Sequence, residues 1–145
     1  MERWRRYSDI KILSERDSKI LNYLASLPDW TAEFNHGDPI PPNIFMGPQV
    51  PTLVDWEFGG AYAPLYDIAI FWVVCARYAS LQSEIERTVQ ELPHAEQVCF
   101  ATNALSVASR EINIHRELPD LHPTKAERLA LLDSVLEKAR LLYIL

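Results

Sequence analysis

Asp38, Asn43 and Asp55 stand at spacings that could do chemistry together. The first two lie in Asn35-His36-Gly37-Asp38-Pro39-Ile40-Pro41-Pro42-Asn43, which has the form His-x-Asp-x-x-x-x-Asn. The third ends the apolar run Leu53-Val54 and opens Asp55-Trp56-Glu57. In phosphoryl-transfer enzymes an Asp on such a loop accepts the proton of the attacking hydroxyl. The Asn downstream and an Asp after the next strand hold Mg²⁺ on the phosphates. The order and spacing here fit that arrangement and point to the catalytic half of a small-molecule phosphotransferase. The competing reading is a surface loop made of an Asp turn and prolines.

The elements around these residues must position them. Pro39, Pro41 and Pro42 stiffen the loop, and Asp38 and Ile40, each preceding a proline, are driven away from helical dihedrals. A rigid irregular loop suits a carboxylate that must be held at fixed geometry. Residues 31–36 are a short β-prone lead-in. Residues 43–46 read as a strand, Gly47-Pro48-Gln49 as a turn, and 52–54 as the returning strand. Antiparallel pairing then brings Asn43 and Asp55 to one end of a hairpin, the closeness a shared Mg²⁺ requires. Gly59-Gly60 reads as a flexible break.

Downstream the chain is expected to be helical. Residues 64–79 are apolar nearly all round, the pattern of a helix at the centre of a core. Asp67 falls in its first turn, where the helix dipole favours a carboxylate. From there it is equally placed to accept backbone N–H bonds and brace the loop. Further helices are expected over 83–92, 95–114 and 124–142, with a loop at 118–123. The last is capped by Thr124 and carries Leu129, Leu132, Leu136 and Leu141 on its apolar side. Upstream, Ser14 caps a helix with Ile20, Leu21, Leu24 and Leu27 at helical spacing, ended by Pro28. The expected class is mainly α with a small β-hairpin, an α+β fold.

Length and composition bound the function. The 145 residues suit one domain over 1–145, with a catalytic loop and metal hairpin at 34–57 and a helical region at 64–145. At 48% apolar the chain can build a real core. A net charge of −6 argues against a general nucleic-acid binder, which needs a basic face. Cys75 and Cys99 sit in apolar helical stretches and read as reduced core residues. His94, His115 and His122 show no ligand spacing, which argues against a metal hydrolase. The longest apolar run, 68–76, is too short to cross a membrane, and the basic start lacks the apolar region of a signal peptide. The expected location is therefore cytoplasmic.

The assembled blocks resemble the aminoglycoside phosphotransferase and choline kinase-like family. The residues that carry the likeness are His36-Gly37-Asp38 with Pro41 and Asn43, then Val54-Asp55-Trp56-Glu57, then Tyr66-Asp67-Ile68-Ala69. The resemblance is specific over residues 34–70 and architectural beyond. It implies the helical C-lobe of a protein-kinase-like fold, with ATP as phosphoryl donor and Mg²⁺ as cofactor. The acceptor would be a hydroxyl on a small molecule such as an aminoglycoside, a choline-like amine or a sugar. By the same resemblance Asp38 is the catalytic base, Asn43 and Asp55 are Mg²⁺ ligands, Asp67 braces the catalytic loop, and His36 packs and hydrogen-bonds. Glu84, Glu86 and Glu111 are candidates to meet a cationic substrate, against the plainer reading of solvated helix faces.

This chain departs from the family at Pro39, where Leu is common, and at Pro42, where Gly is common. It also has Ala63-Pro64 in place of Asp-Pro. The 35 residues before His36 contain no glycine and no strand pair to carry a nucleotide-covering lysine, so the N-lobe is expected to be absent. The chain would then be a fragment of a longer kinase, a truncated product, or a partner to a separate N-lobe, and the exposed face where that lobe docks would favour self-association. The alternative function is a non-catalytic, kinase-like binding or scaffolding module.

Overall fold

The computed structural model describes Lys19 and residues 31–48, 50–119 and 124–142. The helix expected over 14–27 lies outside the described residues, apart from the helical Lys19. Of the loop expected at 118–123, only Leu118 and Pro119 are described.

The β-prone residues pair in two nested ladders. The outer one joins β1 (Glu33–Asn35) to β4 (Gly60–Tyr62), antiparallel, with Glu33 opposite Tyr62 and Asn35 opposite Gly60. The inner one joins β2 (Ile44–Met46) to β3 (Pro51–Leu53), with Ile44 opposite Leu53 and Met46 opposite Pro51. The outer ladder therefore closes residues 36–59 into one loop that contains the inner hairpin.

This corrects the reading of Gly59-Gly60 as a flexible break. Gly60 is the first residue of a paired strand. Gly59 is there for closeness: a Cβ on it would lie 3.0 Å from the Trp56 carbonyl oxygen and 3.4 Å from the Phe34 ring. Asn43, expected to open a strand, instead ends the short 3-10 turn Pro41–Asn43, with prolines at its first positions. Proline suits those positions because its φ is preset and no N–H is needed there.

Four helices follow among the described residues: α1 (Tyr66–Val74), α2 (Ala79–Gln90), α3 (His94–Glu117) and α4 (Lys125–Leu141). The helix expected over 64–79 is shorter at both ends. Leu65 is left-handed at φ 62°, so the helix begins after it, and Cys75 closes it. As expected α1 is buried on most faces, with Tyr66, Ala69, Ile70, Trp72 and Val73 buried, although Ile68 is 43% exposed. Thr124 precedes α4 as expected, but its side chain makes no capping hydrogen bond.

The core forms where α3 packs most extensively on α4 and then on α1. From Cys99 to Ser109 every residue of α3 is buried. Ala101, Ala104 and Ala108 keep its surface low and let its neighbours approach. Trp72 of α1 meets Phe100 of α3 edge to face at 5.8 Å. Each such side chain contributes about 1.5–3 kcal/mol by leaving water.

The Trp72 indole N–H donates to Glu86 at 2.8 Å, and Glu86 pairs with Lys138 at 2.6 Å, tying α1, α2 and α4 together. Leu132 and Leu136 of α4 are buried as expected, whereas Leu141 is 60% exposed. At 100° per residue Leu141 stands about 140° round the helix from Leu136, off the apolar stripe. Among the described residues the result is a mainly α, α+β fold with two small antiparallel sheets where one was expected. Among the described residues no helix is long and apolar enough to cross a membrane.

Candidate active site

The loop after β1 is held by its backbone. The His36 N–H donates to Asp67 Oδ2 at 2.7 Å, and the Gly37 N–H donates to Asp67 Oδ1 at 2.8 Å. One carboxylate in the first turn of α1 thus takes both amides that precede Asp38. Paired N–H bonds to a charged acceptor are stronger than neutral ones and fix the direction of the chain.

His36 is 1% exposed and both ring nitrogens are engaged. Nε2 lies 2.7 Å from the Val54 carbonyl oxygen, and the Asp38 N–H donates to Nδ1 at 3.3 Å. A carbonyl only accepts and a backbone amide only donates, so the proton sits on Nε2. The ring is a strut between the loop and the end of the inner hairpin, wedged against Trp56 at 4.5 Å.

Gly37 is left-handed at φ 84°. A Cβ there would run into the Phe58 carbonyl oxygen and lie 2.8 Å from the Tyr62 hydroxyl, which itself donates to Phe58 O at 2.7 Å. Only glycine allows the loop to lie this close to the segment returning into β4.

Asp38 is half-buried and Asn43 is buried. The Asn43 Nδ2 donates to the Asp38 carbonyl at 3.0 Å and to Asp38 Oδ2 at 3.1 Å. Both partners are acceptors, so Nδ2 must face them and Oδ1 must face away. Asp38 Oδ1 carries no hydrogen bond among the described residues. A carboxylate with one oxygen held and the other open can accept a proton without reorienting.

Asp55 is exposed and left-handed at φ 67°, a conformation that non-glycine residues adopt at a cost of about 1–2 kcal/mol. It follows Val54, whose N–H donates to Asn43 O at 3.0 Å and whose carbonyl meets the His36 ring. The Trp56 indole donates to Leu53 O at 3.0 Å and steadies the turn beyond it. Asn43 and Asp55 therefore sit at the same end of the inner hairpin, the one bonded to Val54 and the other following it.

For a metal, the donor chemistry is what counts. Among the described residues no three His, Cys, Asp or Glu side chains converge as a closed cage. Mg²⁺ does not use one: it takes hard oxygens from one or two carboxylates and fills its shell with water and phosphate. An amide oxygen facing away from Asp38 and an exposed carboxylate at the same end of the hairpin are donors of the kind that ion takes.

Two residues of the site had no signal in the sequence reading. Asn35 is buried, and its Oδ1 accepts the Asp67 N–H at 3.3 Å, so the bracing residue is itself braced. Val54 serves through its two backbone groups, which no side-chain pattern reveals. Asn103 had a weak signal, an amide in the apolar run Phe100-Ala101-Thr102-Asn103-Ala104-Leu105.

The acids considered for a cationic substrate are otherwise engaged. Glu84 pairs with Arg87, Glu86 with Lys138 and Glu111 with Arg110. The arginine's hydrogen bond and charge hold Glu84 below the usual carboxylate range. Cys75 and Cys99 are free and buried. Burial pushes both thiols up, and for Cys99 the charges of Glu96 and Glu33 add to it.

Comparison with protein-family models matches residues 1–99 to the phosphotransferase enzyme family. Comparisons with curated proteins and with solved structures return no match. The matched span contains the loop, both ladders and α1, and covers 99 of the chain's 145 residues. The chain belongs to the phosphotransferase enzyme family.

Proposed function

We propose that the chain is the catalytic lobe of an ATP- and Mg²⁺-dependent phosphotransferase. It would transfer the γ-phosphoryl group to a hydroxyl of a small molecule such as an aminoglycoside, a choline-like amine or a sugar. The observation that carries this reading is the Asp38–Asn43 pair, 3.1 Å apart on a loop that Asp67 clamps by two amides.

On this reading Asp38 orients the acceptor hydroxyl and takes its proton through the open oxygen, while Asn43 holds the other oxygen still. Asn43 Oδ1 and Asp55 would hold Mg²⁺. When bound, the ion neutralises charge on the phosphates. The chain's own part is positioning: a clamped loop keeps the carboxylate where the hydroxyl must arrive. The pairing of Glu84, Glu86 and Glu111 leaves a cationic acceptor without dedicated partners among them, so the acceptor is defined here by its hydroxyl. The setting on this reading is the cytoplasm.

The test is a calorimetric titration of Mg²⁺ and ATP into the chain, alongside Asp55→Asn. Nucleotide binding that requires Mg²⁺ and is lost in the variant is expected. Binding indifferent to the variant would remove Asp55 from the metal site. No binding at millimolar nucleotide would favour the non-catalytic module instead.

A further inference from the structure

We infer that Asn103, in the middle of α3, is a positioning residue for the Asp38 loop, acting through the turn that starts α1. Asn103 is fully buried, and its Nδ2 donates to the Pro64 carbonyl oxygen at 2.8 Å. That carbonyl belongs to the peptide leading into Leu65, which is left-handed at φ 62°. The next residue, Tyr66, begins α1, and the Ala69 N–H closes onto Leu65 O at 3.0 Å. One residue further on is Asp67, whose carboxylate takes the His36 and Gly37 amides.

Asn103 is therefore linked to the loop by one hydrogen bond, one strained residue and one carboxylate. A leucine prefers right-handed or extended backbone, because its Cβ crowds the carbonyl in the left-handed form. Something must hold residue 65 there, and the amide of Asn103 grips the carbonyl immediately before it. Asn35 grips Asp67 from the other side through Oδ1 and the Asp67 N–H. Two buried asparagines thus bracket the start of α1 and set the register from which Asp67 reaches the loop.

The unpartnered half of the Asn103 amide supports this. Among the described residues its Oδ1 is buried without a hydrogen-bond partner. An apolar side chain of similar size would fill the same space without that unfavourable atom. What it would lack is the N–H donor to Pro64. The residue is explained by that one bond and not by packing.

Calling Asp38 catalytic rests on the phosphotransferase reading, but the linkage itself does not. It is tested without metal or nucleotide, so its failure is separate from a failure of the titration above. The experiment is residue-resolved amide hydrogen exchange on the full chain. The variants are Asn103→Leu, Asn103→Leu with Leu65→Gly, and Ser106→Ala, which removes a second buried polar atom without a partner among the described residues, one turn along α3.

Asn103→Leu is expected to speed exchange at His36 and Gly37 by about tenfold relative to the amides of α4. Adding Leu65→Gly is expected to restore their protection, because glycine adopts φ > 0 without the steric cost. Ser106→Ala is expected to leave them unchanged. A uniform rise across α3, α4 and the loop, no rise at all, or no rescue by Leu65→Gly would each overturn the inference. The rescue is the deciding arm, since a residue that only packs the core gains nothing from a glycine at position 65.

Discussion

Residues 31–62 and the helical body from Tyr66 onward are held together by different forces. The helical body is apolar and continuous: Trp72, Phe100, Leu105 and Ile112 are almost completely buried. The loop-and-hairpin region exposes its large apolar side chains. Phe34 is 75% exposed and Met46 79%. It is ordered instead by directed hydrogen bonds among His36, Gly37, Asp38, Asn43, Val54 and Asp67.

Burial is non-directional and tolerates small shifts, whereas a carboxylate that must receive a proton needs a fixed direction. The body supplies stability, and the polar region supplies aim. The two meet at the start of α1, where Asp67 faces the loop and Pro64 faces α3.

That division makes unequal predictions. The largest effect belongs to Trp72→Ala, which empties the meeting point of α1 and α3 and loses the Glu86 bond. It should cost about 3–5 kcal/mol of global stability in a denaturant titration. A loss similar to that of an exposed residue would show that the core lies elsewhere.

Asp67→Ala comes next. It strands two amides of buried residues, a cost of about 1–3 kcal/mol. Here the signature matters more than the size: Mg²⁺-dependent nucleotide binding should fall while the unfolding midpoint drops less than for Trp72→Ala. If the midpoint fell as far, the polar region would be part of the core after all.

The smallest effect belongs to Glu84→Gln on the exposed face of α2. Glu84 has its pKa lowered in the folded chain by the Arg87 hydrogen bond and then by its charge. A depressed carboxylate contributes stability above its unfolded pKa and loses it as pH falls through the folded one. The side chains on both sides of this pair are 60% exposed, so the contribution is small and screened by salt. The variant should melt slightly earlier than the parent at neutral pH and identically in acid. A difference that persisted in acid would have to come from helix propensity instead.

Legibility in the sequence followed contact distance along the chain. The loop prolines, the inner hairpin and the amphipathic helices are local, and their residue types carry the signal. The outer ladder was missed because it pairs Asn35 with Gly60 across the whole intervening loop, and three-residue strands leave no periodicity to read. The leucine spacing predicts Leu141 on the apolar side of α4, but its angle at the last turn carries it off the stripe that Leu132 and Leu136 share. Of the acids considered for a substrate, Glu84 has its partner Arg87 at a helical i,i+3 spacing that the sequence shows, whereas the partner of Glu86, Lys138, comes from another helix that no spacing rule connects.

By itself the sequence determined the chemistry available: an Asp, an Asn and a second Asp in the order a phosphotransferase uses, ahead of a helical body. Residue types and short spacings survive in any conformation, so they can be read before folding. Only the tertiary structure decided how that chemistry is aimed. The tautomer of His36, set with Val54, and the clamping of its loop by Asp67 depend on partners brought from far along the chain, and a hydrogen bond has a direction only once both ends are in place.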